Sequence, residues 1–441
     1  MKKILLIHPW ITDFAAYDFW IKPLGLLMIG TALKRAGHEV GLIDCVDRAA
    51  LGAQDKRFAT GKIPGRAVDS PPPLHGIPRS FRRFGMDDER FRAELTGFGR
   101  PDLVLVTCLM TYWYPGAHRV IEIVRDTHPG VPIGLGGNYV TLCPDHARQY
   151  SGADLFFPEK DSEHILARLQ GILRSGPLPA LLPFPDFSFY EQVRSIPLIT
   201  SRGCPFACSY CAVSRLYPRF VQEDPDKVVA AITDYVKQHK VRDFAFFDDA
   251  LLVRVGTHLH PILEGIIRTG LNLRFHLPNA IHAGAVTKKT AGLLFRSGFK
   301  TIRLGLESSS PSFQKKHSSA KVSNDAFRRA VRLLHSAGFT QEELGAYVLY
   351  GVPSQPDEAV IETLHMVHEA GIRSYLATYS PVPGTPDFET TARKYPAIRT
   401  EPLLHNKHLC CCRNPEGYRK VKEAANRLNQ AVMKRALQNP R

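Results

Sequence analysis

The chain has no uninterrupted apolar stretch approaching the roughly 20 residues that span a bilayer, so membrane insertion is not expected. The opening Met1-Lys2-Lys3-Ile4-Leu5-Leu6-Ile7 begins like a secretory leader, but His8 and Pro9 end the apolar run before leader length is reached. Cysteine is too sparse and uneven for a disulfide framework: nine residues, an odd number, bunched at 204–211 and 410–412. Reduced thiols in the cytoplasm are the expectation. Acidic residues are also in deficit, 42 against 57 basic ones, giving a formal net charge of +15. Basic surfaces attract phosphate without reading sequence. Here the excess is scattered, gathering only at Arg79, Arg82 and Arg83 and from Arg419 to Arg435, and no nucleic-acid motif accompanies it. A solvated basic surface, an anionic small substrate or a reductase partner accommodates the charge, and nucleic acid is not expected.

At 441 residues the chain should form two or more compact units. Ile4 to Ile7, Val40 to Ile43, Leu103 to Thr107 and Ile133 to Gly137 are short apolar runs suited to strands buried on both faces. Leu26, Ile29 and Leu33 recur at helical spacing between the first two, with Gly37 as a stop; Val120, Ile123 and Val124 do the same between the last two. This predicts a Rossmann-like parallel α/β domain over 1–175. It carries an inserted arm at 47–99, rich in Pro, Gly and Arg, in which Pro71-Pro72-Pro73 suggests an extended course. The aromatic run Tyr112-Trp113-Tyr114 follows the third strand, where flat rings stack on a ligand or pack an interface. Residues 176–193 read as a proline-rich linker.

From residue 194 to 386 six apolar runs alternate with helical patterns: Pro197 to Thr200, Phe244 to Phe247, Leu271 to His276, Thr301 to Leu306, Leu344 to Tyr350 and Tyr375 to Tyr379. Right-handed crossovers coil such units into a barrel or part of one, with chemistry at the carboxyl ends of the strands. Residues 387–441 form a tail holding Cys410-Cys411-Cys412 and a basic helix with a Val421, Leu428, Val432 stripe.

Directly after the first of these strands stands Ser-Arg-Gly-Cys204-Pro-Phe-Ala-Cys208-Ser-Tyr210-Cys211. Three thiolates at this spacing suit a cube-shaped four-iron cluster, which takes one cysteine per iron and so leaves one iron open to a non-protein ligand. A zinc knuckle normally needs a fourth protein ligand, and none is near in sequence.

The Cys-x-x-x-Cys-x-x-Cys loop with an aromatic before the third cysteine resembles the signature of the radical S-adenosylmethionine (radical SAM) enzymes. The resemblance implies a partial (β/α)6 TIM-like barrel, a [4Fe-4S] cluster on Cys204, Cys208 and Cys211, and reductive cleavage of S-adenosylmethionine at the open iron. It implies cofactor-binding roles for Tyr210, for Asp248 near the cofactor's ammonium, for Asn279 in the His276-Leu277-Pro278-Asn279 strand end, and for Glu307 in Gly305-Leu306-Glu307-Ser308. Gly351-Val352-Pro353 and Pro383-Gly384-Thr385 are further family-like turns. Tyr350 and Cys412 are the candidate catalytic residues, Cys412 as a thiol that donates hydrogen to a substrate radical; inert reduced thiols are the bland alternative.

The amino-terminal domain is similar to the cobalamin-binding domains fused to such enzymes. Thr107-Cys108-Leu109 and Gly136-Gly137 stand where a small residue-x-Leu segment and a double glycine approach the corrin. His8-Pro9-Trp10 replaces the Asp-x-His-x-x-Gly segment that supplies an axial histidine in the best-known cobalamin folds. A cofactor-free Rossmann-like domain remains the alternative. The resemblance therefore implies methylation of an unactivated carbon on a small-molecule or biosynthetic-intermediate substrate, with cobalamin as methyl source and flavodoxin or ferredoxin as electron donor. A cobalamin-independent rearrangement, cyclisation or elimination, and an RNA-binding protein with a structural cluster, are the alternatives. The β-rich module and amino-terminal cysteine pattern of methylthiotransferases are missing.

Overall fold

A computed structural model describes residues 1–409 and 414–438. Cys410, Cys411 and Cys412 lie outside the described residues. The chain divides into two compact units: residues 1–194 with 395–406, and residues 195–394 with those from 407 onward.

The first unit is built on five parallel strands, β1 (Lys3–His8), β2 (Glu39–Asp44), β3 (Leu103–Thr107), β4 (Ile133–Gly136) and β5 (Leu155–Phe157), in the order β5-β4-β3-β1-β2. Strand β1 shows why the runs are continuously apolar. Side chains alternate across the sheet, so Leu5 and Ile7 enter one core with Val120, Ile123 and Val124 while Ile4 and Leu6 enter the other with Leu26 and Leu33. Helix α1 (Leu24–Arg35) covers the second face so closely that a Cβ on Gly30 would collide with Leu6. Its stop is Gly37, whose φ of +83° lies in the left-handed region. Helices α2 (Asp88–Phe98), α3 (Tyr114–Thr127), α4 (Asn138–Leu142), α5 (Pro144–Tyr150) and α6 (Ser162–Leu173) complete the unit, the last capped by Asp161.

The segment 47–99, expected to be extended, is folded instead. Gly65–Ala67 and Arg82–Phe84 pair antiparallel, and Ile11–Asp13 adds a third strand to them. The arm is pinned because Arg83 stacks on Trp10 at 3.6 Å, pairs with Asp88 and donates to the Met86 carbonyl. Stacking and pairing offset part of the cost of burying its guanidinium, which burial still holds below its usual range.

The second unit carries β6 (Ser195–Leu198), β7 (Asp243–Phe246), β8 (Arg274–His276), β9 (Phe299–Glu307), β10 (Leu344–Tyr350) and β11 (Arg373–Thr378), all parallel and neighbouring one another in sequence order. The first and last are not paired, so this is a partial barrel of six strand-helix units. Its principal helices are α7 (Pro225–His239), α8 (Leu259–Arg268), α9 (Lys288–Arg296), α10 (Pro311–His317), α11 (Asn324–Ala337), α12 (Asp357–Glu369), α13 (Pro386–Lys394) and α14 (Pro415–Gln438).

The stretch 387–441, read above as one tail, is shared out: α13 and α14 cluster with the second unit and 395–406 with the first. Val421, Leu428 and Val432 on α14 are buried, and Asn429 brackets Ser374 of β11 by accepting from its N–H and donating to its carbonyl.

Candidate active site

The cysteine loop is shaped from beneath by the two acids that end β7. Asp248 is buried, and its Oδ1 accepts from the Thr200 N–H (3.1 Å), the Thr200 hydroxyl (2.7 Å) and the Ser201 hydroxyl (2.7 Å). Asp249 accepts from the Gly203 N–H at 3.2 Å. Gly203 has a φ of +84° and lies against the backbone of Tyr217 and Arg219, leaving no room for a Cβ ahead of Cys204. Oδ1 of Asp248 thus shapes the loop, while its buried Oδ2, the atom left for the expected contact with the cofactor's ammonium, has no hydrogen-bond partner among the described residues. Burial raises the Asp249 carboxyl to about 6, with Asp248 adding to the rise and the Gly203 N–H opposing it.

Cys208 is buried, and Cys204 and Cys211 are half-buried. Burial raises the Cys204 thiol and pushes Cys211 up to about 11. Alone, the Cys204 and Cys211 thiols stay protonated at neutral pH, and the positive charge of a metal core is what makes such groups thiolates. Among the described residues no three His, Cys, Asp or Glu side chains form a cage for a single ion.

Beside the loop stand Glu307 and Lys321. Glu307 ends β9 at a register shift against β10, with a φ of +61° that a side-chain-bearing residue adopts only under constraint. Its Oε1 lies 3.1 Å from Lys321 Nζ, and its Oε2 is buried without a hydrogen-bond partner. Burial disfavours the Lys321 charge, but Glu307 and then Cys208 more than offset it and hold the ammonium above its usual range. The Lys321 carbonyl accepts from His282, whose ring lies 4.8 Å from Phe206 of the cysteine loop. Lys321 was not legible in the sequence, because it sits between α10 and α11 in no motif. A carboxylate, an ammonium and an unfilled acceptor beside three cysteines fit a zwitterionic ligand at an open iron.

Tyr210 is anchored by its ring among Phe313, Leu349, Val352 and Tyr379. That placement corrects the expectation for Tyr350: with Leu349 on the Tyr210 side, alternation turns Tyr350 to the opposite face, where its buried ring lies 5.6 Å from Tyr418 of α14. Asn279 donates to the Phe247 carbonyl at 2.8 Å, tying two strand ends together. His276 is fully buried, its ring nitrogens 2.9 Å from Asp243 and 3.2 Å from Thr301.

In the first unit, pairing of β3 with β4 sets Thr107 beside Gly136. Sheets with this strand order take ligands outside the carboxyl ends at the β1/β3 switch point. Gly137 has a φ of +96°, and a Cβ on it would lie 2.8 Å from the Cys108 nitrogen and 2.9 Å from the Thr107 hydroxyl. Gly136 is different, since a Cβ there would meet nothing nearer than 3.5 Å. Its bareness is not demanded by packing and leaves a cradle a ligand can approach. Leu109 is half-buried beside it in sequence, and Thr107 is buried. His8 is engaged internally, Nδ1 lying 2.9 Å from Asp44, which also accepts from Tyr190 at 2.8 Å. The aromatic run is packed as well: Trp113 donates to Asp13 at 3.0 Å, and Tyr114 donates to Glu401 at 3.0 Å and stacks on Tyr139.

Three cysteines in a loop at a strand end suit an iron-sulfur cluster, and the bare glycine at the carboxyl end of the other sheet suits a second cofactor. Family comparison makes the class specific. The radical SAM superfamily model matches residues 198–367 and the B12 binding domain model matches residues 80–166. The chain carries a radical SAM domain with a B12-binding domain ahead of it in sequence, and its cofactors are a [4Fe-4S] cluster, S-adenosylmethionine and cobalamin.

Among curated proteins it is 24% identical over 331 residues to the bacteriochlorophyllide d C-12(1)-methyltransferase of Chlorobaculum tepidum, covering 68% of this chain and 70% of that one. It is 23% identical to an uncharacterized methyltransferase of Pyrococcus horikoshii, covering 70% and 75%, and 22% identical to the anaerobic magnesium-protoporphyrin IX monomethyl ester cyclase of Rubrivivax gelatinosus, covering 64% and 57%. The fold matches the radical SAM methyltransferase TsrM of Kitasatospora setae, solved with tryptophan and a SAM analogue, with a TM-score of 0.67 and 18% identity over 91% of this chain and 78% of that one. Among the described residues no helix is long and apolar enough to cross a membrane.

Proposed function

We propose that this protein methylates an unactivated carbon of a small-molecule substrate. Bound together, the cluster and S-adenosylmethionine supply a 5'-deoxyadenosyl radical and cobalamin supplies the methyl group. Cys204, Cys208 and Cys211 hold the cluster. Lys321 faces the carboxylate of the S-adenosylmethionine amino-acid end and Glu307 Oε2 its ammonium, each meeting the charge it complements, while Tyr210 holds the loop against the barrel. Thr107, Leu109, Gly136 and Gly137 hold the corrin through shape and backbone. A one-electron donor such as flavodoxin or ferredoxin serves the cluster, and the cytoplasm is the setting for such reduced chemistry.

The observation that carries this reading is the buried Glu307–Lys321 pair beside the cysteine loop, with one carboxylate oxygen still open. The cyclase among the relatives supports a second reading, radical cyclisation. Anaerobic reconstitution with iron, sulfide and hydroxocobalamin, followed by the absorption spectrum and a dithionite assay for 5'-deoxyadenosine, tests the proposal; the Cys204→Ala, Cys208→Ala, Cys211→Ala triple variant is the control. Corrin absorbance with cysteine-dependent deoxyadenosine supports methylation. Deoxyadenosine without corrin sinks it in favour of corrin-free radical chemistry.

A further inference from the structure

Ser209 sits between the second and third cysteines, and its surroundings are not those of an ordinary loop residue. Its hydroxyl donates to Asp387 Oδ2 at 2.6 Å and lies 2.9 Å from His317 Nδ1, which is itself 3.1 Å from the same carboxylate oxygen. Its backbone is held from both sides, the N–H donating to the His317 carbonyl at 2.9 Å and the carbonyl accepting from the Asp387 N–H at 3.0 Å. His317 ends α10 and Asp387 begins α13, and both are buried. The Ser209 hydroxyl gives its proton to Asp387, and His317 Nδ1 stands within hydrogen-bond reach of both oxygens. The ring is fixed in that attitude by Phe313, 4.6 Å away between centroids.

We infer that Asp387, Ser209 and His317 form a clasp that positions the cysteine loop for the cluster, with Asp387 as its anchor. The next residue, Tyr210, is locked into the apolar group with Phe313 and Leu349. The segment from Cys208 to Cys211 is therefore tied down by polar bonds at one residue and apolar packing at the next. Groups that orient ligands without touching the metal govern how tightly it is held and at what potential it works. A buried carboxylate in the first turn of α13 is a stiff anchor, because the helix N-terminus favours its charge.

The inference rests on the cluster being held by Cys204, Cys208 and Cys211. The test compares wild type, Ser209→Ala, Ser209→Thr and Asp387→Asn, all reconstituted anaerobically. Readouts are iron and sulfide content, the rate of iron loss to a chelator, the electron paramagnetic resonance spectrum and midpoint potential of the reduced cluster, and thermal melting of the apo-protein. Ser209→Ala and Asp387→Asn should lose iron about tenfold faster with a shifted spectrum. Ser209→Thr, which keeps the hydroxyl, should behave as wild type, and apo melting of Ser209→Ala should match wild type. Wild-type rates and spectra in both disruptive variants would overturn the clasp. So would faster iron loss matched by an equal fall in apo melting, which marks a merely structural role. Failure of wild type to take up a cysteine-dependent cluster would overturn the functional reading itself.

Discussion

The strand ends of the two units differ in how their polar groups are spent. In the first unit the buried acids and rings at the strand ends answer one another. Asp44 is held at about 2, burial notwithstanding, chiefly by His8, and Tyr190 donates to it as well. Tyr139 bridges His118 at 3.1 Å and His146 at 2.6 Å, and Asp13 accepts from both Trp113 and Asn406. Around the cysteine loop, by contrast, buried carboxylate oxygens of Asp248 and Glu307 have no hydrogen-bond partner. Unpaired buried acceptors are costly, which supports the proposal that one region receives the charged amino-acid end of S-adenosylmethionine and the other offers shape and backbone to a large ring.

The sharpest way to break this contrast is to remove the cysteines. The triple alanine variant should lose iron and deoxyadenosine formation to background while still taking up corrin, which absorption spectra on one sample would show. Loss of corrin as well would mean the two regions are not separable. Next, Lys321→Met should weaken S-adenosylmethionine binding roughly 30- to 100-fold, the scale for stripping one partner from a buried charge pair, with corrin uptake unchanged. Equilibrium binding to the reconstituted protein checks it, and an affinity within a factor of three of wild type would remove Lys321 from the site.

On the other side of the comparison, Gly137→Ala places a Cβ at a positive φ against the Cys108 backbone and should cost about 1–3 kcal/mol in stability. Corrin uptake should fall, while cluster content and its spectrum stay at wild type. The smallest effect is in pH. Burial lowers the His118 imidazole to about 3, His146 adding to the fall, and burial lowers His405 to about 4. The unfolded chain takes up these protons near the ordinary 6.5 while the folded chain resists. Stability is therefore full above pH 6.5 and drains as pH falls toward 4. Melting curves across that window should slope less in His118→Asn than in wild type.

Much of the scaffold was legible because it follows from local patterns. Continuous apolar runs marked strands covered on both faces, helical spacing marked Leu26 to Leu33, and Gly37 marked a stop, all within a few residues of their partners. The site was half legible. Cys204, Cys208, Cys211, Tyr210 and Glu307 stand in short motifs, whereas the bonds by which Asp248 Oδ1 shapes the loop and the packing of Tyr350 against α14 join residues far apart in sequence. Tyr350 failed because a strand motif does not say which face is covered by a distant helix. The arm at 47–99 was misjudged because prolines advertise extension, while the Arg83–Trp10 contact that folds it joins residues far apart in sequence.

The sequence by itself determined the inventory: three thiols at a spacing that leaves an iron open, ten of the eleven strands of the two parallel sheets, all but Leu155–Phe157, and glycines where the backbone turns left-handed. These are local properties of neighbouring residues. Only the tertiary structure decided which charges meet, bringing Lys321 to Glu307 and Asp387 and His317 to Ser209, because hydrogen bonds and ion pairs depend on positions in space that the barrel sets after the chain has folded.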